Sequence, residues 1–171
     1  MKGNTIKDLL KPRSEFDTVQ VGFLLLNDFS LLAFSAAVEP LRAANRLREQ
    51  TLFSWVTTHM SDDSVRASNG LEVSVNSNLD SLFKCRLVLI CSGTNVEKHT
   101  DKTALAIARR LERNGITVGA ICSGTYVLAK AGMLNDNVIS GQTEMTGDIA
   151  DDDEILISDG RTVKRADFSV L

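Results

Sequence analysis

Apolar positions fall into two periods along this chain, and they alternate. Val19 to Leu26 (VQVGFLLL) is an almost unbroken apolar run ending at the turn pair Asn27-Asp28. Such a run predicts a strand buried on both faces, as in a parallel sheet. Ser30 is a good N-cap, and Leu31, Phe34, Val38, Leu41 and Asn45 then follow helical 3-4-3-4 spacing. Pro40 is expected to kink that helix or to begin a second one, because it lacks an amide donor. Phe53 to His59 (FSWVTTH) alternates and is rich in β-branched and aromatic residues, so it reads as a strand. Val65 to Val75 reads as a hairpin around Asn69-Gly70, the pair favoured in type I′ turns. Asn76 to Phe83 has room for one helical turn.

Leu87 to Cys91 (LVLIC) is a second buried strand, running into Ser92-Gly93-Thr94. Thr103 to Arg113 carries an apolar face of Ala104, Ile107, Ala108 and Leu111 and closes at Asn114-Gly115. Ile116 to Ile121 is read as a third buried strand. It leads directly into Cys122-Ser123-Gly124 and a helix over Thr125 to Ala131, stopped by Gly132. Farther on, Val138-Ile139 suggests a short strand, Gly141 to Glu154 is acidic and weakly patterned, and Ile155 to Val163 suggests a hairpin. Strands alternating with helices across Val19 to Ala131 predict an α/β sandwich on a mostly parallel sheet.

Composition narrows the function more than the fold. The 171 residues are 43% hydrophobic and 24% charged, with a net charge of -3. A chain of this size buries roughly 70% of its unfolded surface and needs neither disulfide nor metal to hold a core. The acidic balance argues against nucleic-acid binding by this chain itself, since phosphate contacts need a basic face. No apolar run approaches the roughly 20 residues that span a bilayer. The first 18 residues are polar and mixed in charge and read as a mobile arm without the apolar core of a signal peptide; a cytoplasmic protein is expected. Three cysteines without CxxC spacing and two histidines without HxxxH spacing give no metal site and no disulfide framework. No cofactor is implied.

The one stretch with chemical promise is the passage from strand to helix at Cys122. Ligands in open α/β sheets bind at the carboxyl ends of strands. Three such ends are legible: Asn27-Asp28, Ser92-Gly93-Thr94 and Cys122-Ser123-Gly124. A thiol at a sharp strand-to-helix turn faces free amides and becomes more nucleophilic. Gly93 and its neighbours would line an anion-accepting corner opposite it. A cysteine at a strand end is also commonly a small buried hydrophobe. Cys85 and Cys91 read as core, His59 and His99 as strand or surface residues, and Asp151-Asp152-Asp153 as a solvated loop.

Taken together, VGFLLLNDFSLLAFSAAVEPLRAANRL, VRASNGL, LVLICSGTN and GITVGAICSGTYVLAKAGML resemble one group of proteins. These are the N-terminal, DJ-1/PfpI-like (class I glutamine-amidotransferase-like) domains of AraC-type transcriptional regulators. The resemblance covers about Val19 to Leu134, with Glu39 to Asn45 (EPLRAAN) especially typical. It implies a three-layer α/β/α sandwich with a mostly parallel sheet, DJ-1/PfpI-like (flavodoxin-like), over residues 19–171. It implies a homodimer that senses a small-molecule effector, a nitrogenous metabolite such as a carnitine derivative, a betaine or arginine. DNA would be bound only through a C-terminal helix-turn-helix domain absent from these residues. The effector site would comprise Asn27, Asp28, Gly93, Thr94, Cys122 and Ser123, with Tyr126 as an aromatic wall. The helix from Leu31 to Leu47 is a candidate dimer surface, with simple packing on the sheet as the alternative.

Two departures bear on chemistry. DJ-1-like hydrolases place His after the elbow cysteine and an acidic residue in the first strand-helix connection; here Ser123 follows Cys122, and Leu31, Leu32 or Ala33 stands at the acidic position. Without that carboxylate, proton transfer at the thiol lacks its usual partner, and sensing is expected rather than catalysis. The alternative is a cysteine-dependent hydrolase or hydratase with Cys122 as nucleophile and Ser123 and the Gly93 amide stabilising the anion. A redox role for Cys122 is a third reading. After Leu134 the family's Trp-Glu segment and closing helix are replaced by VISGQTEMTGDIADDD.

Overall fold

A computed structural model describes residues 18–60 and 63–134, together with the backbone of two short strands farther on. The mobile arm and the Val138-Ile139 strand expected from the sequence lie outside the described residues, apart from Thr18. The core is a four-stranded, all-parallel sheet. Its strands are β1 (Val19–Leu25), β2 (Phe53–Thr58), β5 (Leu87–Cys91) and β6 (Thr117–Ile121), in the order β2-β1-β5-β6. Register runs Val21↔Trp55 between β1 and β2, Leu25↔Cys91 between β1 and β5, and Cys91↔Ile121 between β5 and β6.

The apolar run of β1 is explained by its interior place. Phe23 and Leu25 pack on one face of the sheet and Leu24 on the other, all at 0% exposure. One face carries α1 (Leu31–Arg48). The opposite face carries the 3₁₀ turn Leu79–Lys84, the single-turn helix α2 (Val96–His99), α3 (Lys102–Arg113) and α4 (Gly124–Lys130). The three-layer α/β/α sandwich is therefore present. The buried face of α3 is the expected one, with Ala104, Ala108 and Leu111 at 0% exposure. Asp101 caps that helix, its carboxylate accepting from the Ala104 amide at 2.8 Å.

Helix α1 departs from expectation at Pro40. Ser30 does cap it, Oγ accepting from the Ala33 amide at 3.2 Å, but the helix runs unbroken through Pro40. A helix tolerates a proline on a face exposed enough for the carbonyl one turn back to find water, and Pro40 is exposed. None of its eighteen residues is buried. Leu31, Phe34, Ala37, Val38 and Leu41 rest on the sheet half-covered, while Leu32 and Leu47 are 82% and 83% exposed. Asn45 fixes the helix to the edge strand by clasping Phe53: its Nδ2 donates to the Phe53 carbonyl at 2.8 Å and its Oδ1 accepts the Phe53 amide at 2.9 Å.

Three further expectations need correction. Strand β6 is half-buried throughout, not buried, because among the described residues it has a strand partner on one side only. The hairpin is real, β3 (Ser64–Arg66) pairing antiparallel with β4 (Glu72–Ser74), but its turn is not type I′. Only Gly70 takes positive φ (87°), with the Gly70 amide donating to the Ala67 carbonyl, so Asn69 need not adopt a left-handed conformation. Helix α2 was not foreseen at all; one turn is too short to show a period. The late hairpin is present as β7 (Glu154–Leu156) and β8 (Thr162–Lys164), paired antiparallel.

Candidate functional site

Three strand ends on one edge of the sheet turn through the same unusual backbone conformation. Among the described residues, four non-glycine residues have positive φ, and three lie just past the ends of β1, β5 and β6: Asp28 (59°), Asn95 (55°) and Cys122 (56°). A left-handed residue with a side chain costs roughly 1 kcal/mol or more, and such costs concentrate where geometry serves function. The sheet thus spends its strain at its carboxyl edge, where a parallel α/β fold places ligands.

The ends of β1 and β5 are tied into a short antiparallel ribbon. Phe29 pairs with Gly93; the Ser30 amide donates to the Ser92 carbonyl at 3.2 Å and the Thr94 amide to the Asp28 carbonyl at 3.1 Å. Gly93 is needed for this approach. A Cβ there would lie 2.8 Å from the Ser30 nitrogen and 2.9 Å from the Phe29 carbonyl carbon. The Asp28 amide also donates to the Arg66 carbonyl at 2.8 Å, so the β3–β4 hairpin braces the same turn.

The Asp28 carboxylate is held by residues the sequence reading left out. Its Oδ2 accepts from Asn95 Nδ2 at 3.1 Å and from His99 Nε2 at 3.0 Å. These bonds, with the Asn95 amide foremost and His99 next, hold the carboxyl below the usual carboxylate range. Since an ionised carboxylate only accepts, Nε2 of His99 carries the proton. Asn95 and His99 lie one helical turn apart across α2, which puts both on one side of that turn. An Asn and a His four apart give no signal in one dimension, because their common partner lies some seventy residues away. His59 is a structural residue, with Nδ1 on the Leu25 carbonyl at 2.7 Å.

Cys122 is half-buried at the start of α4, and among the described residues no hydrogen bond engages its thiol. Ser123 beside it is locked: its hydroxyl donates to the Gly93 carbonyl at 2.5 Å. That proton is spent on the protein rather than aimed at an anion, which removes the role the enzyme reading gave Ser123. Gly124 begins α4 directly under the end of β5, with no room for a Cβ against the Ile90 carbonyl. Burial pushes the Cys85 thiol up to about 11 and the Cys91 thiol higher still, so both are inert core thiols as expected.

Of the sequence-proposed residues, Thr94 is hydrogen-bonded to Asp28 and Ser123 to Gly93, the two pairs meeting through the Gly93–Thr94 peptide, and Cys122 adjoins them through Ser123. Asn27 is half-exposed beside Asp28. Tyr126 packs against the core cluster on the α3 side, with the Lys130 ammonium 5.3 Å from its ring centre. Its side chain makes no hydrogen bond into the network. Among the described residues no three His, Cys, Asp or Glu side chains gather as a metal site would require. No helix there is long and apolar enough to cross a membrane.

A doubly flanked parallel sheet with a cysteine on a left-handed turn between strand and helix defines a class, and comparison with known sequences agrees. The chain belongs to the DJ-1/PfpI family, whose profile matches residues 19–167. Within that family it is similar to transcriptional regulators. It is 34% identical over 115 residues to the HTH-type transcriptional regulator GbdR of Pseudomonas aeruginosa, covering 67% of this chain and 31% of that protein. It is 37% identical over 118 residues to the HTH-type transcriptional regulator GlxA of Rhizobium meliloti, covering 68% and 36%. The aligned segment thus spans about a third of the length of these curated relatives. Among solved structures, an AraC family transcriptional regulator from Pseudomonas putida superposes with a TM-score of 0.63 at 25% identity, covering 74% of this chain and 68% of that one. The DJ-1 superfamily protein Atu0886 from Agrobacterium tumefaciens shares the fold, with a TM-score of 0.58.

Proposed function

We propose that this chain is the effector-sensing and dimerisation part of an AraC-type transcriptional regulator, binding a small nitrogenous metabolite without turning it over. The observation that carries this reading is the wiring of the carboxyl edge. The thiol of Cys122 has no acid or base hydrogen-bonded to it among the described residues, and the one carboxylate in the network, Asp28, is engaged by Asn95 and His99. A nucleophilic cysteine needs a partner to take its proton. What remains is a rigid corner of fixed dipoles with one ionised carboxylate, suited to holding a cationic nitrogen.

Both carboxylate bonds go to Oδ2, which leaves Oδ1 of a 30% exposed side chain for the effector. The Asp28 turn leads within two residues into α1, and Phe29 stacks edge-on against Phe34 of that helix at 5.9 Å. A ligand at Asp28 therefore acts on the root of α1. Helix α1, with its half-covered apolar face and exposed Leu32 and Leu47, is the surface that would pair with a second copy. The signal would then be a change in how two copies sit on α1, carried to DNA by a helix-turn-helix domain of the full regulator.

The test is a thermal-shift and calorimetric screen of the chain against trimethylglycine, carnitine and arginine, with each bound ligand recovered and weighed. Saturable binding with the ligand intact, weakened in Asp28→Asn, supports the reading. Cys122-dependent conversion of a bound ligand overturns it in favour of a hydrolase or hydratase. Leu32→Asp is expected to shift a dimer towards monomer in sedimentation; a chain that is monomeric before the substitution removes the dimer part of the proposal.

A further inference from the structure

Ser92 sits between Cys91 and Gly93 at the end of β5, 1% exposed, and its hydroxyl has no hydrogen-bond partner. Among the described residues it is the only buried side-chain polar atom in that condition. A buried hydroxyl without a partner is a net cost, and alanine in its place would remove that cost. Its backbone offers no reason for the hydroxyl either: the carbonyl of Ser92 already accepts from the Ser30 amide at 3.2 Å.

The place of this orphan is informative. Ser92 and Thr94 flank Gly93 on the ribbon, opposite Ser30 and Asp28. The Gly93 carbonyl is taken by Ser123, and no acceptor among the described residues takes the Gly93 amide. An O–H and an N–H from adjacent residues, both without acceptors among the described residues, lie on the ribbon segment whose backbone pairs with that of Asp28 to Ser30. Two adjacent donors call for an oxygen acceptor, and Asp28 nearby calls for a positive charge on the same molecule.

We propose that Ser92 is a specificity-determining residue of the effector site, its hydroxyl kept for a carboxylate or carbonyl oxygen of the bound molecule. The inference rests on the sensing function proposed above and adds to it a recognised group. Unpaired polar groups of this kind discriminate strongly, because an analogue lacking the matching group leaves them unpaired in the complex as well.

The experiment compares the 171-residue chain with Ser92→Ala. In the free protein, Ser92→Ala is expected to raise Tm by about 2–4 °C, the shift of a chain this size for one relieved hydroxyl, with an unchanged circular dichroism spectrum. Titrated with trimethylglycine by calorimetry, Ser92→Ala is expected to bind at least tenfold more weakly than the parent chain. A Tm that stays or falls means that the hydroxyl has a partner in the free protein, and overturns the assignment. Equal affinity of parent and variant overturns the Ser92 assignment alone. Failure of the parent chain to bind trimethylglycine, with binding of arginine or carnitine also absent, overturns the sensing function and this assignment with it.

Discussion

Replacing Gly93 with alanine tests whether the ribbon between the ends of β1 and β5 holds the site together. The added methyl would meet backbone, 2.8 Å from the Ser30 nitrogen and 2.9 Å from the Phe29 carbonyl carbon, and against the Asp28 carbonyl oxygen. Backbone cannot swing aside as a long side chain can, so the two segments must part. Parting them breaks the Ser30–Ser92 and Thr94–Asp28 hydrogen bonds, at about 1 kcal/mol each. The misfit itself adds about 1–3 kcal/mol. The sum is a loss of about 3–5 kcal/mol. Trp55, the single tryptophan, sits half-buried on β2 and reports unfolding by fluorescence. At an m-value of about 2 kcal/mol/M, the urea midpoint should fall by about 1.5–2.5 M. Gly115→Ala is the control: φ is +75° there, but nothing lies within 4 Å, so only the left-handed cost of about 1 kcal/mol applies, or about 0.5 M. If Gly93→Ala shifts the midpoint no more than Gly115→Ala, the ribbon does not carry the constraint assigned to it.

Asn45→Ala should cost about 2 kcal/mol, since it strips both bonds to the Phe53 backbone; Asn45→Asp should recover only part, losing the donor to the carbonyl, and urea midpoints of the three chains check the order. The lowered Asp28 carboxyl makes its contribution to stability full above the ordinary carboxylate range and lost as pH falls through its folded value. The stability gap between the parent chain and Asp28→Asn should therefore shrink on acidification below about pH 4; a gap that is flat down to pH 2.5 would refute the ionised, hydrogen-bonded state. Iodoacetamide at pH 8 should label one thiol per folded chain, at Cys122, because burial disfavours the thiolates of Cys85 and Cys91. Peptide mapping that finds equal labelling at Cys91 would contradict its burial.

Much of the architecture was legible because period and burial are linked. The almost unbroken apolar run of β1 reads as an interior strand, and the 3-4 spacing on α3 named its buried face, with Ile107 alone of the four residues left half-covered. Ser30 announces its helix start by chemistry that acts within three residues. The three strand ends of the candidate site were equally readable, because parallel strands put their carboxyl ends on one edge. Pro40 misled for a reason: the rule against proline inside a helix assumes a packed carbonyl one turn back, and α1 packs too loosely to enforce it.

The sequence by itself determined the order of the four sheet strands and of α1, α3 and α4, the Ser30 cap, the elbow at Cys122 and the core thiols, all of which follow from short-range periodicity and local hydrogen bonding. Only the tertiary structure decided which polar groups meet. Asp28 joins His99 across 71 positions and Ser123 reaches Gly93 across 30, pairings that depend on strand register and on left-handed turns at three separate strand ends. The same is true of the solitary state of the Ser92 hydroxyl and the half-covered face of α1. No local pattern encodes such facts, because a hydrogen bond between distant residues is fixed by where the whole sheet places two backbones, not by the residues on either side.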